Sequence, residues 1–309
     1  MSGFEVLVAG GGMAGLTAGL FSARNGRKTG LLLGDEVAGG GHLISVGRIE
    51  DFPGFPEGVP GYDLCPMLQE QALNAGVECL PGSLEKITQS DGGWVASTGA
   101  GEIQASAVIV ATGSEARRLD VPGADRLHGR GVSDCATCDG PLHRGKTVAV
   151  VGGGDSALLE VLELTNHVER VLLFHRGREL GGQHTYRTRV LEHPAIEVRA
   201  ESVVEEVLGD EVVGAVRTRV AGGEVVEDAV AGVFVYIGLR PRTDFLRELL
   251  TLDDDGRVAT DGGMRTGLPG LFAAGDIRAD SASQAITAAG DGATAALAAH
   301  RYLDRGEDD

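Results

Sequence analysis

Short apolar runs that end in glycine recur along the chain and predict strands feeding helices. The first, Phe4 to Ala9, ends in Gly10-Gly11-Gly12-Met13-Ala14-Gly15, and a helical pattern follows through Leu16, Leu20 and Ala23. A second run, Thr29 to Leu33, leads into Gly34-Asp35-Glu36. Together these predict a βαβ unit of about thirty residues with G-x-G-x-x-G at its first turn. The pattern then repeats. Lys146 to Val151 is followed by Gly152-Gly153-Gly154-Asp155-Ser156-Ala157, the helix Leu158 to Leu164, and a strand from Arg170 to Phe174. Further strands are expected at Val108 to Ala111 before Thr112-Gly113, at Val233 to Ile237 before Gly238, and at Leu271 to Ala274 before Gly275-Asp276. An alanine-rich helix is expected from Ala282 to Leu303, its N-terminus capping a ligand, and the acidic tail Glu307-Asp308-Asp309 is expected to fray. An internal duplication at this period predicts an α/β chain with two Rossmann-like dinucleotide-binding domains rather than a solenoid.

In such a turn the first glycine permits the tight bend, the second lets a pyrophosphate approach the backbone, and the third position lets helix and strand pack closely. The phosphates then lie against the positive end of the helix. Gly10, Gly12 and Gly15 fill these places in the first turn, and Gly152, Gly154 and Ala157 in the second. The two units differ at the end of their second strand. Asp35, about twenty residues beyond Gly15, suits ribose hydroxyls. The second unit offers His175-Arg176 with Arg178 close by and no carboxylate until Glu179, a set that favours a 2′-phosphate. Two different nucleotides are therefore expected.

Composition removes several alternatives. Glycine contributes 49 of 309 residues, about twice the usual share, but without a Gly-X-Y period collagen is excluded. An apolar fraction of 42% with 23% charged residues excludes wholesale disorder. A net charge of −18, from 45 acidic against 27 basic residues, repels phosphate backbones and anionic lipid, so neither a nucleic-acid partner nor a membrane partner is expected. Val6 to Ala23 carries no charge, yet it follows Glu5 and is interrupted by glycines, which fits a strand, turn and helix rather than a signal peptide. No stretch reads as a membrane span, and a cytoplasmic location is expected.

Four cysteines are too few for a disulfide framework in a chain of this length. Cys135 and Cys138 form a C-x-x-C pair, which in a cytosolic protein points to redox chemistry or metal. A metal needs two more ligands at suitable spacing, and Cys65, Cys79, His128 and His143 do not provide them. Cys65 and Cys79 are expected to be packing residues. Two thiols at this spacing can close and reopen a small disulfide ring, with a thiolate as the nucleophile. Asp139 can shuttle a proton to the leaving thiolate. Because a nicotinamide gives up hydride and a disulfide takes two electrons and two protons, a flavin is the natural connection. FAD is expected at the first turn and NAD(P)H at the second.

At these residues the chain closely resembles the low-molecular-weight thioredoxin reductase family. The match runs in order through Gly10 to Gly15, Gly39-Gly40-Gly41-His42-Leu43, Glu50-Asp51 to Gly54, and Ala111-Thr112-Gly113. It continues through Cys135-Ala136-Thr137-Cys138-Asp139-Gly140, Gly152 to Ala157, Gly238, Phe272 to Asp276, and Gln284-Ala285. The resemblance implies an FAD-binding domain from residues 1–115 and 244–309, with a nucleotide and dithiol domain of 116–243 inserted between. It also implies a homodimer, a large rotation between domains, and a thioredoxin-like protein or small disulfide as partner. Cys138 would face the flavin, Cys135 would exchange with substrate, and Asp139 would be the acid/base.

Three departures stand out. The family's NADPH signature carries arginine at the positions of Gly177 and Gly181, and only Arg176 remains in place, with Arg178 or Arg187 as substitutes. Ala282-Ser283 replaces a Tyr-Arg pair, and His42 replaces a glutamine near the flavin. Three functions follow. The first is a thioredoxin-type reductase fed by NADPH, with NADH as the variant. The second is a reductase of the same fold fed by reduced ferredoxin or a thiol. The third is a dithiol oxidase that passes electrons to oxygen, although such oxidases carry histidine where this chain has Asp139.

Overall fold

The structure, a computed structural model, describes residues 3–34 and 39–305; Asp35 and the acidic tail lie outside the described residues. The chain divides into two compact units, residues 1–115 with 240–309 and residues 116–239.

The first unit is built on Phe4–Ala9 (β1), buried at every position but one. A parallel strand covered on both faces must be apolar almost throughout, which is why its pattern is a run rather than an alternation. Next come Met13–Arg24 (α1), Thr29–Leu32 (β2), Gly61–Asn74 (α2) and Glu78–Leu80 (β3). The strands Leu84–Ser90 (β4), Gly93–Thr98 (β5) and Gly101–Val110 (β6) follow. The sheet order is β3-β2-β1-β6-β5-β4, parallel from β3 to β6 and antiparallel through β6, β5 and β4. Ser114–Ala116 (β7) leads out of this unit.

The second unit contains Val132–Ser133 (β8), the short helix Ala136–Asp139 (α3), Thr147–Gly152 (β9), Asp155–Leu164 (α4) and Arg170–Phe174 (β10). His184–Glu192 (α5) and Ile196–Arg199 (β11) complete its second crossover. Its parallel sheet has the order β11-β10-β9-β15-β8, where β15 is Val233–Tyr236. Between them Val203–Leu208 (β12), Ala215–Arg219 (β13) and Val225–Ala229 (β14) form a separate antiparallel sheet. Leu239–Pro241 (β16) pairs with β7, so the chain leaves and returns on one two-stranded ribbon.

Leu271–Ala273 (β17) then adds to β6 in parallel, and Ala285–Arg305 (α6) packs across α1. That crossing is close: a Cβ on Gly292 would stand 2.1 Å from the Ala14 carbonyl oxygen. The helix starts at Ala285 rather than at the expected Ala282. Ser283 holds a left-handed φ of 51°, which no α-helix continues.

Candidate functional site

Both glycine turns fall between a central strand and a helix: β1 to α1 and β9 to α4. Gly10 has φ 117°, and a Cβ there would stand 2.2 Å from the Ala111 carbonyl oxygen. Gly152 has φ 148° and the same relation to the Tyr236 carbonyl oxygen, at 2.2 Å. At the third place a Cβ on Gly15 would meet the Gly10 carbonyl oxygen at 1.7 Å, so only glycine allows α1 this close to its strand. The middle glycines are different. A Cβ on Gly12 or Gly154 would meet no protein atom within 4 Å. Each is the N-cap of its helix and supplies no side-chain cap, which leaves first-turn N–H groups to a ligand. This is the cradle a dinucleotide pyrophosphate requires, and it occurs twice.

Against the first cradle the structure brings Gly40, Gly41, Ala111, Thr112 and Gly275. Gly40 donates its N–H to the Gly11 carbonyl at 2.8 Å, and Gly40 and Gly41 both hold positive φ. Gly34 exchanges two backbone hydrogen bonds with Gly82. His42 Nε2 donates to the Ser114 carbonyl at 2.7 Å, which fixes its tautomer. The Thr112 hydroxyl donates to the Arg242 carbonyl, whose N–H returns to the Gly113 carbonyl. Met13 is buried in an apolar cluster with Ile49, Val59 and Leu64, and Leu43 packs against it. Asp51 lies in an exposed loop. Gln284 precedes α6 and accepts the Thr287 hydroxyl and the Ala288 N–H on its carbonyl; Ala285 opens the helix.

Asp276 is the unspent acceptor here. Its carboxyl has no hydrogen-bond partner among the described residues. Burial pushes it above the usual aspartate range, against the pull of Arg257 and His42. The turn carrying it is held by a pair that the sequence reading missed. Asp291, buried on α6, accepts the Gly275 N–H at 3.1 Å and the Arg278 guanidinium through both oxygens, at 2.8 and 3.0 Å. An open cradle, an uncapped helix and a carboxylate awaiting donors fit the pyrophosphate and sugar hydroxyls of FAD.

Around the second cradle, His175 packs beside Gly153, buried, with Nε2 lacking a partner. Burial lowers its pKa, so the ring is neutral near pH 7 and contributes shape and a donor or acceptor rather than charge. Arg176 is exposed, whereas Arg178 pairs with Glu201 at 3.1 Å. The loop beyond them folds back over the cradle. Gly181 donates its N–H to the Gly153 carbonyl at 2.7 Å, and Asp155 accepts the Gln183 N–H at 2.7 Å. Ser156 stays exposed on the first turn of α4, and Gly238, with φ 103°, accepts the Arg117 N–H. These residues fit a pyridine nucleotide.

The dithiol belongs to the second unit. Cys135 and Cys138 are joined as a disulfide, with their Cα atoms 5.3 Å apart. Cys135 caps α3, and its sulfur accepts the Cys138 N–H at 3.2 Å. Asp139 follows at once, its N–H donated to the Cys135 carbonyl. Beneath the turn lies a second group missed in the sequence: Glu160 Oε2 accepts the Ala136 N–H at 3.3 Å and the Tyr236 hydroxyl at 3.4 Å. Its spacing was a usable signal, because Glu160 falls three residues after Ala157 and four before Leu164, both core positions. Cys65 is buried against Gly40 and Cys79 is half-buried in β3. Among the described residues no cluster of His, Cys, Asp or Glu could hold a metal, and no helix is long and apolar enough to cross a membrane.

Residues 4–292 match the model of the pyridine nucleotide-disulphide oxidoreductase family. A thioredoxin reductase of Treponema pallidum is 38% identical over 97% of this chain and 97% of its own length. The crystal structure of Lactococcus lactis thioredoxin reductase superposes with a TM-score of 0.94 at 37% identity, covering 97% of this chain and 99% of that one. A ferredoxin-flavin thioredoxin reductase from Clostridium acetobutylicum is more distant, at 26% identity and a TM-score of 0.54, covering 99% of each chain. The chain therefore belongs to the pyridine nucleotide-disulphide oxidoreductase family, as an FAD-dependent disulfide oxidoreductase.

Proposed function

We propose that this chain is a thioredoxin reductase: it carries electrons from NADPH through FAD and the Cys135–Cys138 pair to the disulfide of a thioredoxin-like protein, and works as a cytoplasmic homodimer. The observation that carries this reading is the Cys135–Cys138 disulfide, seated in the same compact unit as the second nucleotide cradle. FAD is assigned to the unit of the first cradle and NADPH to the unit of the second. Together the two cofactors supply two-electron chemistry between a nicotinamide hydride and a disulfide. The chain's own residues do the rest. Cys135 accepts an N–H that favours its thiolate, and Asp139 stands beside Cys138 to hold or give a proton. Arg176 and Arg187 are the cations assigned to the 2′-phosphate. Arg187 lies one turn into α5, beyond the loop tied to Gly153, and its buried Nε has no partner.

A second reading, in which another donor replaces NADPH, is favoured by the glycines at 177 and 181 and by the Arg178–Glu201 pair. An anaerobic titration separates the two. NADPH, NADH and a small dithiol are added separately to the yellow protein while flavin absorbance is followed. Rapid bleaching by micromolar NADPH is expected. Bleaching by the dithiol alone, with ready recolouring in air, would replace the reductase by an oxidase; slow recolouring would point to a different donor.

The assignment of FAD to the first cradle has its own test. Gly12→Val places its side chain in open space at a φ of −75°, so the apoprotein should fold. Flavin retained per chain should fall at least about tenfold, since the side chain fills the phosphate approach. Gly15→Ala should do the reverse, lowering soluble yield and thermal stability through its clash with Gly10. Equal flavin content in Gly12→Val and the parent would place the cofactor elsewhere.

A further inference from the structure

The backbone of the dithiol turn is held at four N–H groups. Cys135 donates to the Ser133 hydroxyl at 3.1 Å, Cys138 to Cys135 sulfur at 3.2 Å, and Asp139 to the Cys135 carbonyl at 3.1 Å. The fourth, Ala136 N–H, goes to Glu160. Of these acceptors only Glu160 belongs to a carboxyl group. It stands on α4, the helix that begins at the second nucleotide cradle, and it also receives the hydroxyl of Tyr236 from β15. One carboxyl oxygen thus ties the nucleotide helix, a central strand and the turn bearing both cysteines.

We propose that Glu160 is a positioning residue of the dithiol: its carboxyl holds the amide that follows Cys135, and its ionisation sets how readily the reduced pair forms a thiolate. Ala136 N is bonded to the carbonyl carbon of Cys135, so a negative charge on Glu160 lies beside the peptide of the cysteine that exchanges. That charge disfavours a thiolate there, whereas the Cys138 N–H favours it. The two contributions oppose each other, and only the first can be removed by a proton. Burial pushes the Glu160 carboxyl up to about 7, with Glu163 adding like charge and the Ala136 and Tyr236 hydrogen bonds pulling the other way. The switch therefore operates in the range where thiols begin to react.

The groups facing it are few. Tyr236 comes from β15, Asp134 lies near Tyr236 ahead of the turn, and Glu163 is on α4 itself. The faces of β9 and β10 packed on α4 contribute Val148, Val150, Val171 and Leu173, and α5 contributes Tyr186 and Val190 to the same core. Below pH 7 the carboxyl is neutral and the thiolate is less opposed. Above it the charge raises the thiol pKa, and the two groups titrate as a pair.

The inference rests on the dithiol being the exchanging pair, but its test needs neither nucleotide nor thioredoxin, so failure of the donor assignment leaves it untouched. The FAD-loaded protein is reduced with dithiothreitol, freed of excess, and alkylated with iodoacetamide from pH 5.5 to 9, with Cys135 and Cys138 peptides read by mass spectrometry. The parent should show a broadened Cys135 profile with an inflection near pH 7 below that of the thiol. Glu160→Gln should remove that inflection and raise the rate at pH 8 about three- to tenfold, the effect of half to one pKa unit. Tyr236→Phe keeps the carboxyl but removes a hydrogen bond that stabilises its charge, and should move the inflection to higher pH. Profiles of both variants superimposable on the parent's overturn the proposal. So does a uniform drop in rate at every pH, which would make Glu160 a structural prop. Should Glu160→Gln fail to fold, the Tyr236→Phe shift decides alone.

Discussion

Cys138→Ser should abolish reduction of a thioredoxin-like disulfide, lowering turnover by at least about a thousandfold, while NADPH still bleaches the flavin. A loss of that size corresponds to about 4 kcal/mol of transition-state stabilisation. The chemistry requires both sulfurs. In the proposed scheme the Cys135 thiolate attacks the substrate disulfide, forms a mixed disulfide and releases the first substrate thiol. Cys138 then attacks the Cys135 sulfur, releases the second thiol and restores the Cys135–Cys138 bond. The first attack falls to Cys135 in this proposed scheme, and the hydrogen bond from the Cys138 N–H to its sulfur supports that role, because it lowers the cost of a negative charge on that atom. The two single variants should therefore differ. Cys138→Ser, with Cys135 intact, should accumulate a mixed disulfide visible as a mass increment equal to the substrate. Cys135→Ser should be equally inactive but trap nothing. Because the cysteines act as a unit, the double variant should be no slower than either. Trapping by Cys135→Ser instead would reverse the two roles.

What could be read in advance follows from how locally each feature is determined. β1 and β10 keep the bounds their apolar runs predict, since a central parallel strand is buried on both faces and announces itself by composition alone. The glycine turns were equally legible, because their demands are backbone demands: φ at Gly10 and Gly152, open space at Gly12 and Gly154. The antiparallel strands β4 and β5 were not: β4 is buried only at Leu84 and Ile87, across an irregularity in its register with β5, and the pairing depends on a turn at Asp91-Gly92 rather than on an apolar run. α2 escaped notice for a similar reason, with Pro66 inside it and few buried positions. Residues that support the sites were hardest of all. Asp291 resembles any solvent-facing aspartate on an alanine-rich helix until α6 is laid beside the Gly275 turn. Only then do Gly275 N–H and Arg278 become its partners. Glu160 shows the same limit. Its place on the inner side of α4 was readable from Ala157 and Leu164, but the Ala136 amide it meets comes from another element.

Replacing the missing arginines should tighten NADPH binding by about a hundredfold and leave NADH within about threefold. The space exists. A Cβ on Gly177 meets only ordinary contacts, the nearest being the Glu179 carbonyl oxygen at 3.4 Å. At Gly181 the nearest atom is the Gly153 carbonyl oxygen at 3.2 Å, which the turn can absorb by a few tenths of an ångström. Neither glycine holds the left-handed φ that a side chain would resist. A charge-assisted hydrogen bond is worth about 1.5–3 kcal/mol, so each arginine that reaches the 2′-phosphate should give about a tenfold gain or more. Gly177→Arg, the less crowded site, should account for about half of the free energy. The existing Arg178–Glu201 pair gives a scale for comparison. Both side chains are substantially exposed, and such pairs contribute about 0–1 kcal/mol, so freeing Arg178 with Glu201→Gln should improve NADPH binding less than about fivefold. Equilibrium titration with NADP and NAD, at low salt and again near 0.5 M salt, would check all three variants, because phosphate contacts weaken with ionic strength while ribose contacts do not. Equal gains for both nucleotides would show that positions 177 and 181 do not face the 2′-phosphate, and the assignment of the second cradle's rim would have to move to other residues.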